Sequence, residues 1–121
     1  MKTVQQLDKL QLCCQKHFKD LFQNKTCIRV FSIVTGSVEI WGGNGDRDTE
    51  SVVYITPENW LLSEQTSEYG MYPGKNEVKF KKEATSEGVL SLLVDSQNSY
   101  AISQLEAFYD EISLKYPEDF I

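Results

Sequence analysis

The chain predicts an α+β domain: an antiparallel sheet of about five strands with the N- and C-terminal helices packed on one face. Three observations lead there. Apolar residues recur at helical spacing near both ends of the chain. The middle is filled with β-branched and aromatic runs broken by glycine- and proline-bearing turns. The connections between neighbouring runs, outside one short central helix, are too brief for the crossovers a parallel sheet needs. With 121 residues, 40% of them hydrophobic and 25% charged, the length and balance suit one globular domain over 1–121.

The first helix is predicted from about Thr3 to Gln23. Thr3 followed by Gln6 is a capping-box pattern. Val4, Leu7, Leu10, Cys14, Phe18, Leu21 and Phe22 fall on one arc at 100° per residue. Lys2, Lys9 and Lys16 recur on the other side as a solvated stripe, and Leu12 stands among polar neighbours. A strand is expected over Cys27–Val34, a turn at Thr35-Gly36-Ser37, and a second strand over Val38–Trp41. Gly42 to Glu50 is polar and turn-rich, and Ser51 to Ile55 reads as a third strand.

Thr56-Pro57-Glu58 has the cap, proline and acid of a helix start, so Trp60, Leu61 and Leu62 are expected on a short helix fading near Thr66. Tyr72-Pro73-Gly74 suits a tight turn. Glu77 to Glu83 alternates apolar with lysine, a strand with one wet face, and Val89 to Val94 reads as a more buried strand. A last helix from Ser96 or Ser99 to Tyr116 carries Ala101, Leu105, Phe108, Tyr109 and Ile112 on one arc, and Pro117 stops it. The predicted order is α-β-β-β-α-β-β-α.

Charge divides the chain. Residues 1–30 carry six Lys/Arg and two Asp/Glu, while residues 31–121 carry six Lys/Arg and sixteen Asp/Glu, for a net −6 overall. A predominantly acidic surface disfavours nucleic acid and anionic membrane and favours a basic partner. No apolar run approaches the roughly 20 residues that span a bilayer, and MKTVQQLDKL has no signal-type apolar segment, so a cytoplasmic protein is expected.

The single histidine, His17, limits the available chemistry. Cys13 and Cys14 precede it by four and three residues, so a thiol–imidazole contact is geometrically open. A helix-interior thiol, however, lacks the electropositive setting that makes thiolates reactive. Three cysteines without a CxxC pair read as free, core-type thiols, and one histidine with scattered cysteines lacks zinc-site spacing. Asp46, Asp48 and Glu50 have the spacing of the first calcium-loop ligands, but Ser51 and Pro57 stand where that loop needs glycine and glutamate. Phosphate-loop and dinucleotide glycine motifs are absent from the sequence. No catalytic residue, metal or cofactor is expected.

The element order, small size and acidic balance resemble class I type III secretion chaperones, a resemblance that implies a dimer acting on effector proteins. The stretch Ile55-Thr56-Pro57-Glu58 after two strands is similar to one in profilins, which bind actin.

The leading expectation is a non-enzymatic protein-binding module, most concretely an immunity or inhibitor protein that blocks a basic partner such as a toxin nuclease. Acidic side chains would stand in for phosphate and steer association. The residues expected to form that face are Asp46, Asp48, Glu50, Glu64, Glu68, Tyr69 and Tyr72, with Glu106 and Asp110 as a second patch. A secretion-type chaperone, working as a homodimer, is the alternative, and a small enzyme using carboxylates stands below it.

Overall fold

The computed structural model describes residues 1–40, 45–70 and 77–121, and describes side chains outside 35–48 and 66–81. The elements are α1 (Val4–Lys16), α2 (Phe18–Phe22), β1 (Ile28–Ile40), β2 (Gly45–Ile55), β3 (Trp60–Gly70), β4 (Glu77–Ala84), α3 (Ser86–Ser96) and α4 (Ser99–Lys115), followed by a 3-10 turn at Pro117–Phe120. Among the described residues the fold is α+β, with four strands in one antiparallel sheet of order β1-β2-β3-β4 rather than about five. Among the described residues no helix is long and apolar enough to cross a membrane.

α1 begins as its sequence predicts. Thr3 Oγ1 accepts from the Gln6 amide, and the Gln6 side chain accepts from the Thr3 amide, a reciprocal capping box. The helix does not run through to Gln23. It breaks at His17, whose backbone (φ −111°, ψ 29°) is no longer helical, and a separate five-residue helix follows.

β1 and β2 are each longer than predicted. Residues 35–37 do not turn the chain. β1 instead continues through a register shift between Val34 and Gly36, a bulge at which glycine is well tolerated. The polar segment ending at Glu50 likewise supplies the outer half of β2 from Gly45 onward.

Thr56-Pro57-Glu58 makes the β2–β3 turn, not a helix start. Thr56 Oγ1 accepts from the amides of Glu58 (3.1 Å) and Asn59 (2.9 Å), and the Thr56 amide donates to Asn59 O at 2.8 Å. A threonine hydroxyl satisfies the next amides equally well in a tight turn and at a helix N-terminus, so the local chemistry is the same for both. The turn sets Ile55 opposite Trp60, and Trp60 to Gly70 then pairs residue by residue with β2.

The reverse exchange occurs after β4. Thr85 caps a helix, its Oγ1 accepting from the Gly88 amide at 3.1 Å, and Val89 and Leu93 are buried one turn apart on α3. Periodicity alone does not separate a short apolar run in a buried helix from one in a buried strand.

The core sits between the helices and the proximal half of the sheet. Leu7 and Leu10 of α1, Val89 and Leu93 of α3, and Ala101, Leu105 and Ile112 of α4 share one cluster with Phe31, Ile33, Val53, Ile55 and Trp60. α4 packs on the sheet through the arc that predicted it, and α1 joins the same core through Leu7, Leu10 and Cys14, whereas Phe18, expected on that arc, lies beyond the break at His17 and is 47% exposed. α4 also meets the open edge of β1, where the Ser32 amide donates to Gln104 Oε1 at 3.1 Å. That bond satisfies an edge-strand donor that would otherwise invite pairing with another chain.

Candidate functional site

At the break at His17 the end of α1 meets the C-terminal 3-10 turn in a polar cluster. Cys13 and His17 lie one helical turn apart on the same side of α1. Pro117 ends α4 and folds Asp119 back over them. His17 Nε2 lies 2.8 Å from Asp119 Oδ2, the Cys13 thiol donates to the same Oδ2 at 3.7 Å, and Lys16 Nζ donates to Asp119 Oδ1 at 3.0 Å. Tyr116 stacks flat on the imidazole, with centroids 3.8 Å apart and planes 10° apart. Its hydroxyl bonds Asp20, which also receives Lys115 Nζ at 3.2 Å.

These contacts set the protonation states. Lys16, and then His17, hold the Asp119 carboxyl below the usual carboxylate range. Burial pushes the Cys13 thiol up to about 11, with help from the Asp119 charge. Burial pushes Cys14 up to about 12, and the hydrogen bond to Asp20 raises Tyr116 to about 12. The arrangement is not a nucleophilic relay. The carboxylate, rather than the imidazole, lies against the thiol, and Cys13 is a thiol at neutral pH, whereas the thiolate is the nucleophile. The neighbour that joins His17 is Cys13, while Cys14 is turned into the core. The three donor atoms of Cys13, His17 and Asp119 all lie within 4.8 Å of one another.

Asp20 gives a pH prediction. Its folded-state value is lowered, first by the Tyr116 hydroxyl and then by Lys115, with His17 also facing it. A lowered carboxylate contributes stability above the unfolded value and loses it as pH falls through the folded value. Wild-type protein should therefore lose more of its urea resistance than Asp20→Asn between about pH 5 and pH 2. Parallel losses in the two proteins would contradict the assignment.

The basic stripe of α1 is engaged within the molecule. Lys16 pairs with Asp119, Lys9 Nζ donates to Ile121 O at 3.2 Å, and Lys2 Nζ sits 4.4 Å above the Tyr109 ring. The N-terminal amino group lies 3.7 Å from Glu106. The positive end of the chain thus answers the acidic C-terminal end, which the separate reading of each helix does not reveal.

The residues expected to form an acidic face are divided. Glu106 faces the N-terminus, while Asp110 is exposed one turn further along α4. Glu50 is held by Arg29 Nη2 at 2.7 Å, the guanidinium also donating to Ser32 Oγ at 2.9 Å. Glu64 is half-buried and stands opposite Ser51, so it has the opposite strand parity to Glu50, which stands opposite Gln65. The register sets Asp46 beside Tyr69, Arg47 beside Glu68, and Asp48 beside Ser67, all near the Gly45–Gly70 end of β2 and β3. The side chains of Asp46, Asp48, Glu68 and Tyr69 lie outside the described residues, as does the whole of Tyr72. On the other edge of β2 the register sets Glu39 opposite Asp46.

A separate cleft of about 540 Å³ opens between α1, the β2–β3 turn and the start of α3, bordered by Asp8, Glu58 and Glu83. At its base Gln11 Nε2 donates to Thr56 O at 2.6 Å, tying α1 to the turn.

Asp119 is the residue that sequence reasoning missed. It stands 102 positions from His17, beyond the proline that stops the last helix. Pro117 as a helix stop was the one signal that the chain reverses there. No protein-family model, curated protein or solved structure matches this chain.

Proposed function

We propose that this protein is a non-enzymatic binding module whose acidic sheet end takes a basic protein partner, in the manner of an immunity or inhibitor protein. The observation that carries this reading is the strand register. It puts Glu39, Asp46 and Asp48 on one strand parity near the end of β1–β2–β3 opposite the buried Ile55–Trp60 turn, with Glu68 at the same end on the other parity beside Arg47, and it sets two acids, Glu39 and Asp46, directly across from each other. A concentration of acidic residues at one end of the sheet favours a basic partner and raises the rate of its encounter.

Affinity capture from lysate of the source organism, with mass spectrometry of what is retained, tests this. A stoichiometric basic protein held at low salt and released at high salt is the expected result. A partner that resists high salt would point instead to apolar, chaperone-like binding, and recovery of the bait alone would contradict constitutive binding.

A further inference from the structure

The geometry points to a zinc site made by Cys13, His17 and Asp119, closing the C-terminal 3-10 turn onto the end of α1. Three features support it. The donors are one thiol sulfur, one imidazole nitrogen and one carboxylate oxygen, a set that suits zinc and other borderline divalent ions rather than calcium or magnesium. They lie close together: Asp119 Oδ2 is 2.8 Å from His17 Nε2 and 3.7 Å from Cys13 Sγ, and all three donor atoms lie within 4.8 Å of one another. Tetrahedral bonds of ~2.0 Å to nitrogen and oxygen and ~2.3 Å to sulfur separate such donors by about 3.2–3.6 Å, and both Asp119 pairs lie within about half an ångström of that spacing.

The surroundings are those of a held site. Tyr116 stacked on the ring fixes the imidazole plane, and Lys16 takes Asp119 Oδ1 and leaves Oδ2 for the metal. A cleft of about 220 Å³ lined by His17, Lys115, Tyr116 and Asp119 opens beside the cluster and gives a water access to the fourth position. On binding, the Cys13 S–H bond breaks and its proton goes to solvent as the sulfur–zinc bond forms. Any proton on His17 Nε2 likewise leaves to solvent or is replaced by one on Nδ1. No group changes oxidation state.

The test uses the full chain, reduced and stripped with chelator, titrated with Co²⁺ and then Zn²⁺. One equivalent of Co²⁺ should give a thiolate-to-cobalt charge-transfer band with intense tetrahedral d–d bands, and Zn²⁺ should abolish them. Asp119→Asn and His17→Gln, both at partly exposed positions, should bind Co²⁺ more weakly than the ~10–100-fold loss caused by removing an outer partner. Cys13→Ser should lose the charge-transfer band, and Zn²⁺ should raise the melting temperature of wild type but not of Asp119→Asn. The proposal is overturned if wild type gives no thiolate band, if Asp119→Asn and His17→Gln titrate like wild type, or if the band survives Cys13→Ser and vanishes in Cys14→Ser or Cys27→Ser.

Discussion

Trp60→Ala should reduce the unfolding free energy by about 3–5 kcal/mol, read from equilibrium urea unfolding. Trp60 is 1% exposed and opens β3 directly after the Thr56 turn. It stands opposite Ile55 on one side and Ala84 on the other, and it packs in the cluster that α1, α3 and α4 share. Removing the indole leaves a void at the junction of three strands and the helical layer, where Leu7, Leu10 and Ile55 are fully buried and have little freedom to collapse inward. Trp60→Phe keeps most of the ring and should cost clearly less. A loss below about 1 kcal/mol for Trp60→Ala would mean the residue is not at the centre of the core.

The second large effect lies on α4 and separates its faces. Leu105→Ala should cost about 2–5 kcal/mol, while Leu114→Ala should stay within about 0.5 kcal/mol. Leu105 is 0% exposed in the shared core, and Leu114 is 82% exposed. The two leucines have the same chemistry on the same helix, so the contrast isolates burial. It also tests how α4 is rotated against β1, which the bond from the Ser32 amide to Gln104 fixes independently. Equal costs for the two substitutions would contradict that rotation.

The helices at the ends were legible because their signals are local and mutually consistent. Thr3 caps α1, the apolar arc of α4 is the buried one, and Pro117 follows Tyr116, at which α4 ends. The middle was harder for two physical reasons. Thr56 and Thr85 both offer a hydroxyl to following amides, yet one makes a hairpin turn and the other a helix cap. What decides between them is tertiary: Trp60 to Gly70 finds a partner strand in β2, whereas Val89 to Val94 finds a helical neighbour in α1. Gly36 suggested a turn by composition, but a glycine in a long strand serves a bulge equally well. The site was less legible than the fold. Proximity of Cys13 to His17 follows from i,i+4 spacing, but the arrival of Asp119 depends on how α4 ends and where the last five residues dock. The acids of β2 and β3 could be named one at a time, and only the pairing register shows which of them share an end of the sheet.

The most direct test of the central claim is the association rate of the captured basic partner with two charge-reversed proteins, measured at low salt. The triple variant Asp46→Lys, Asp48→Lys, Glu68→Lys changes the sheet end, and Glu106→Lys changes the α4 patch that the N-terminus already faces. The account predicts a fall of on the order of 10–10³-fold for the triple variant, shrinking as salt is added, and a much smaller change for Glu106→Lys. A triple variant that binds at the wild-type rate, or a larger loss from Glu106→Lys, would contradict it.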